Sequence, residues 1–160
     1  MPNTRAETKA LHRLIYCSRA QPVTIADPSA TVRDILDVSQ ALNLRDGLTG
    51  ALLASDGWFL QVLEGPLKPL RATFARIRAD QRHSEIKIVQ SGPIPGRTFP
   101  QWAMCGQDFV SPMRDEMIDV FAQRPIFDPR QLKPWEAMSL LRTVQTTQET
   151  NRDLNALRRA

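Results

Sequence analysis

Apolar and polar positions change period several times along the chain. Leu11 to Ser18 (Leu-His-Arg-Leu-Ile-Tyr-Cys-Ser) alternates and predicts a first strand. Gln21 to Ala26 reads as a loop. Asp27-Pro28-Ser29 opens a helix with Ser29 as its N-cap, and Val32, Ile35, Leu36, Ser39 and Leu42 continue it at 3–4 spacing. Asp46-Gly47 stops it. Two short apolar runs follow, Leu48 to Ala54 and Trp58 to Leu63, joined by Ser55-Asp56-Gly57 as a tight hairpin. Leu67, Leu70, Phe74 and Ile77 predict a second helix that ends near Asp80. Glu85 to Gln90, with Ile86 and Ile88 on one side, predicts a fourth strand. Gly92-Pro93-Ile94-Pro95-Gly96 predicts a bend, and Phe99 to Cys105 a short fifth strand.

The order β-α-β-β-α-β-β is α+β: a ferredoxin-like βαββαβ sheet with an added fifth strand. Right-handed crossovers put both helices on one face. After residue 107 the texture changes. Ser111-Pro112 opens a helix with Met113, Met117 and Phe121 at one spacing, and Pro134 opens a last helix with Trp135, Met138, Leu141 and Val144 as its stripe. This predicts a domain over 1–107 and a helical pair over 108–160 that caps the bare sheet face. The sparse seam Leu140, Val144, Thr147, Asn151, Leu154 keeps a dimerising coiled coil as the alternative.

Composition narrows the class. The chain has 160 residues, 42% hydrophobic and 24% charged, which suits a folded domain. It has no apolar run long enough for a membrane span. The polar N-terminus, with two widely separated cysteines, Cys17 and Cys105, leads us to expect a cytoplasmic protein. Two His and two Cys argue against a zinc site. The net charge is +4, but aromatics do not interleave with the Arg residues, so nucleic-acid binding is not expected. No GxSxG, HExxH, GxxxxGK[ST] or GxGxxG motif is present, and no acid/base pair stands out, so we expect no enzyme.

Some polar residues break apolar patterns. Ile35, Ser39 and Asn43 step by four and share one helix face, although Asn43 also suits a C-terminal cap. Gln61 sits inside Trp58-Phe59-Leu60-Gln61-Val62-Leu63, where a buried amide must find partners. Tyr16, the one tyrosine, lies within the first strand. Trp102 and Met104 are two apart and would share a side. His12 and His83 read as surface or strand-end residues.

Four ordered segments, Leu14-Ile15-Tyr16-Cys17-Ser18, Asn43-Leu44-Arg45-Asp46-Gly47-Leu48-Thr49-Gly50, Phe59-Leu60-Gln61-Val62-Leu63-Glu64-Gly65 and Phe99-Pro100-Gln101-Trp102-Ala103-Met104, resemble the BLUF family of blue-light sensors that hold FAD. The resemblance runs from Leu11 to Cys105. It implies a flavin held noncovalently between the two helices. Tyr16 corresponds to the light-active tyrosine, Gln61 to the glutamine between that tyrosine and the ring, and Asn43 to the asparagine at the ring's carbonyl edge. Ile35 and Ser39 would line the ring, Trp102 and Met104 would be the mobile pair near the glutamine, and Arg82 and His83 would lie toward the phosphates. Leu42 departs from the Asn or His that many members carry there.

The resemblance further implies electron and proton transfer from Tyr16, after which Gln61 is left rotated or tautomerised. The signal would then leave through the later helices to a separate effector protein, such as a cyclic-nucleotide enzyme, or within a homo-oligomer. An RNA-binding module of the RRM type and a small acyl-phosphatase-like enzyme are the alternatives for this fold. The first lacks its aromatic strand motif and the second lacks a glycine-rich anion cradle.

Overall fold

Strand and helix assignments come from a computed structural model, which describes residues 10–22, 28–100, 105–108 and 127–159. The elements are β1 (Leu11–Ala20), α1 (Pro28–Asp46), β2 (Thr49–Ser55), β3 (Trp58–Pro66), α2 (Leu67–Ala79), β4 (His83–Ile94), β5 (Cys105–Asp108), a 3-10 turn (Pro129–Gln131) and α3 (Pro134–Arg159). The sheet order is β4-β1-β3-β2-β5. β1 runs antiparallel to β3 and β4, and β2 runs antiparallel to β3. That is the ferredoxin-like arrangement. β5 adds to it in parallel with β2.

Local chemistry explains the joints. Asp56 and Gly57, both at positive φ, close the β2–β3 hairpin between Ser55 and Trp58 as a two-residue turn of the I′ kind. Gly47, at φ 68°, ends α1: its N–H reaches the Leu44 carbonyl and the Leu48 N–H reaches the Asn43 carbonyl. α1 starts at Pro28, one residue before the expected cap Ser29. Proline fits a first helical turn because its missing N–H is not needed there.

Alternation along the central strands sorts the core into two layers. Leu14, Leu52, Phe59 and Leu63 point to α1 and α2, joined by Leu70 and the half-buried Phe74 and Ile77. Ile15, Cys17, Ala51, Leu53, Leu60 and Val62 point the other way, onto Leu132, Ala137, Met138, Leu140, Leu141 and Val144 of the C-terminal segment. Arg19 and Arg130 each lie over the Trp58 ring, with guanidinium carbons 5.1 and 4.6 Å from its centre, and the Arg130 contact ties the sheet to the 3-10 turn. So α3 caps the face that α1 and α2 leave bare. The helix expected from Ser111, with Met113, Met117 and Phe121, lies outside the described residues.

Three expectations are corrected. The fourth strand is not Glu85 to Gln90 but His83–Ile94, and Gly92-Pro93-Ile94 pairs with Arg13, His12 and Leu11 instead of bending. Among the described residues β4 is an edge strand, where proline's lost donor is tolerated. Register shifts between Ile15 and Tyr16 and between Cys17 and Arg19 break the alternation of β4, so Ile88 is half exposed while Val89 packs on the α3-side core. The fifth strand is Cys105–Asp108, later than expected, and Phe99 is instead a fully buried residue ahead of it. Trp135 does not belong to the buried stripe of α3: it is 65% exposed, and Ala137 and Leu140 take the inward positions.

Candidate functional site

Tyr16 and Gln61 are cross-strand partners whose side chains both point to the α1–α2 layer. Each is about 3% exposed. The Tyr16 hydroxyl donates to Gln61 Oε1. Burial, reinforced by the nearby Asp80 carboxylate, pushes the Tyr16 phenol far above its usual value. Tyr16 is therefore a neutral donor throughout the physiological range. The Phe74 ring lies 5.5 Å away, tilted.

These residues form the floor of a cleft between α1 and α2. Ile35 and Ser39 line it from α1, Leu52 and Phe59 from the sheet, and Ile77, Asp80, Arg82 and His83 from the far end. Ile35, Leu52, Phe59 and Ile77 supply flat apolar walls. Ser39, Gln61 and Arg82 supply polar groups at the margins. Asn43 follows Ser39 by one turn of α1 and is buried. A flat, largely apolar ring with polar edge atoms fits this donor and acceptor set. The cleft measures about 70 Å³, so seating a tricyclic ring requires α1 and α2 to part. Among the described side chains of α1 only Asn43 is fully buried.

A much larger groove, about 780 Å³, lies elsewhere, beside α3, with Arg13, Trp135, Met138 and Arg142 on its walls. It is wide open to solvent. The convergent, buried polar groups belong to the smaller cleft, and chemistry rather than size selects it.

Arg82 and His83 are held within the protein. Asp80 accepts from the Arg82 backbone N–H at 2.9 Å and from Arg82 Nε at 3.0 Å. This Asx-type turn, with the Arg82 side-chain hydrogen bond as its largest contribution, holds the Asp80 carboxyl below the usual carboxylate range. The His83 Nε2 lies 2.6 Å from the Ile77 carbonyl, which can only accept. Nε2 therefore carries a proton, and in the neutral ring Nδ1 accepts from the Ser18 hydroxyl at 2.7 Å. The ring stands edge-on to Tyr16 and Phe59, with centres 6.3 Å apart in each case. His83 thus pins the start of β4 to β1 and to the last turn of α2.

Tyr16, Ile35, Ser39, Gln61, Arg82 and His83 are therefore gathered at one cleft, with Asn43 on the same helix face. Trp102 and Met104 lie outside the described residues. Asp80, Phe59 and Ser18 were missed from the sequence. The Asp80-Gln81-Arg82 spacing at a helix end was the available signal, since Asp commonly bonds the N–H two residues on.

Residues 11–105 match the family model BLUF, described as sensors of blue light using FAD. The chain is 33% identical over 98 residues to photoactivated adenylate cyclase subunit beta of Euglena gracilis, covering 61% of this chain and 11% of that protein. It is 31% identical over 115 residues to subunit alpha from the same organism, covering 72% and 10%. The chain thus spans about a tenth of the length of the curated relatives it matches. Among solved structures it superposes on BlrB, a BLUF protein in the dark state, with a TM-score of 0.67 at 34% identity, covering 87% of this chain and 98% of that one. On BlsA in its photo-activated state the TM-score is 0.72 at 26% identity, covering 84% and 94%.

Proposed function

Because the chain belongs to the BLUF family, sensors of blue light using FAD, we propose that it is a photoreceptor that holds FAD noncovalently between α1 and α2 and signals by rearranging Gln61. The observation that carries this reading is the buried hydrogen bond from the Tyr16 hydroxyl to Gln61 Oε1 at the floor of the cleft. Ile35, Ser39, Asn43 and Gln61 hold the ring, and Arg82 and His83 close the end of the cleft nearer β4. Trp102 and Met104 take the part of the mobile pair that the resemblance assigns them.

When bound, the flavin supplies the blue absorption and an excited state able to accept an electron. Tyr16 is the donor. Its phenol is neutral and dry, so loss of an electron would make the hydroxyl strongly acidic, and the proton would pass through Gln61, entering at Oε1 along the existing bond while the amide gives up an N–H proton on the ring side. Electron and proton then return to Tyr16. Gln61 is left turned or tautomerised, because the two ends of a carboxamide are nearly isosteric but opposite in hydrogen-bond sense. Ile35, Leu52 and Phe59 keep water from the exchange.

The output leaves the sensor, residues 1–107, by way of residues 108–160. It passes to a separate effector protein or between copies of this chain. The cyclase relatives make a cyclic-nucleotide enzyme the first effector chemistry to try. The test of the photoreceptor reading is the light-minus-dark absorbance of the full chain after reconstitution with FAD. A red shift that reverses in the dark is expected; a colourless protein, or a yellow one without a shift, refutes the reading.

A further inference from the structure

Glu64 lies on the sheet face opposite the cleft and has no part in holding a flavin. It is fully buried. Arg13 Nε donates to its Oε1 at 2.9 Å, with Arg13 Nη2 2.8 Å from the same oxygen. The backbone N–H groups of Thr98 and Phe99 donate to its Oε2 at 2.7 and 3.1 Å. Arg13 Nη2 also reaches Thr98 Oγ1 at 2.6 Å. A buried ion pair is weak evidence for stability, since apolar residues of similar volume commonly serve as well. This carboxylate does something an apolar residue cannot: it gathers β1, β3 and the segment leading toward β5 on one group.

The register gives that convergence a direction. Arg13 opposes Glu64 and Tyr16 opposes Gln61 in the same β1–β3 ladder, three residues apart. Alternation puts the Tyr16–Gln61 pair on the cleft face and the Arg13–Glu64 pair on the α3 face. Phe99, whose N–H Glu64 holds, lies in the same core as Leu140, Leu141 and Val144 of α3.

We propose that Glu64 is a positioning residue for signal output. Resting on the blue-light reading above, it couples a rearranged Gln61 to residues 97–100 and α3 across the sheet. The two arrangements are the one seen, with both the Thr98 and Phe99 amides bound, and one in which the longer Phe99 bond is given up. Light chemistry at Gln61 does not need Glu64; transmission does.

The test uses the full chain loaded with FAD. Two quantities are read, the light-minus-dark spectrum and amide hydrogen exchange at residues 97–100 and 134–144 in dark and light. Illumination is expected to speed exchange at Thr98 and Phe99. Glu64→Gln is expected to keep the red shift and lose at least half of that lit-minus-dark difference. A difference equal to that of the parent chain overturns the proposal. Should Glu64→Gln not fold, Glu64→Asp, which draws the carboxylate back from the Thr98 and Phe99 N–H groups, is read in the same way: a reduced lit-minus-dark difference at full red shift supports the coupling, and an undiminished one overturns it. A parent chain with a red shift but no exchange change at Thr98 and Phe99 refutes the coupling alone. A parent chain without a red shift refutes the photoreceptor reading, and this proposal with it.

Discussion

The Tyr16 hydroxyl donates to Gln61 Oε1 across two neighbouring strands, β1 and β3, that are buried on both faces along this stretch. The ladder fixes the two backbones, so the amide's own torsions are its main freedom. A side chain that can only turn in place is well suited to act as a two-position element.

Gln61→Leu removes the acceptor and leaves the Tyr16 hydroxyl buried without it. The expected cost is about 1–3 kcal/mol in urea unfolding. FAD colour should remain, because the proposed contacts of Ile35, Ser39 and Asn43 with the ring are untouched, while the light-induced red shift should vanish. A Gln61→Leu protein with the parent's shift would show that the amide is not the moving part.

Alkaline pH should loosen the fold through Tyr16. Its folded pKa is raised, first by burial and then by Asp80. The unfolded phenol titrates near pH 10, so stability is fully present below about pH 10 and falls as pH rises beyond it. The expected slope for one proton is about 1.4 kcal/mol per pH unit. Cys17, whose thiol burial also pushes up, starts an earlier loss above about pH 8.5. Urea midpoints measured from pH 7 to 11 should show both limbs, and Tyr16→Phe should lose only the later one.

Truncation after Gly106 should abolish folding of an isolated sensor. It strips Phe127, Leu132, Met138, Leu140, Leu141 and Val144 from the second sheet face. At roughly 1.5–3 kcal/mol for each large apolar side chain, the loss is about 9–18 kcal/mol, which rivals a domain's whole stability of about 5–15 kcal/mol. The truncated chain should aggregate, or be rescued only when residues 107–160 are supplied in trans. A monomeric, cooperatively melting truncated chain would show that α3 is dispensable.

Gly65→Ala should destabilise without touching the cleft. A Cβ there would stand 2.4 Å from Leu48 Cδ2 and 3.0 Å from the Gly47 carbonyl oxygen. Leu48 is buried and the carbonyl already accepts from Arg97 at 2.6 Å, so neither gives way freely. A loss of about 1–3 kcal/mol is expected. An unchanged urea midpoint would contradict the close approach of the α1–β2 turn to β3.

How much of this was legible in the sequence varied with how local the cause was. Asp56-Gly57 and Asp46-Gly47 announced their turns because positive φ needs such residues. The 3–4 spacing of Leu67, Leu70, Phe74 and Ile77 placed α2. Tyr16 and Gln61 stood out as polar groups in apolar strands. β4 was misread because its bulges opposite β1 override alternation, and bulges depend on the partner strand. Trp135 was misread because an apolar residue beside a stripe says nothing of which flank faces the sheet. Asp80 and Glu64 were missed because their roles come from segments far away in the chain: Glu64 meets Arg13 and Thr98 only after folding.

The most direct test of the central claim is the light-minus-dark spectrum of Tyr16→Phe loaded with FAD. The account predicts a yellow protein with the parent's dark spectrum and no red shift under blue light. A normal, reversible shift in that variant would contradict it, since no phenol would then stand beside Gln61.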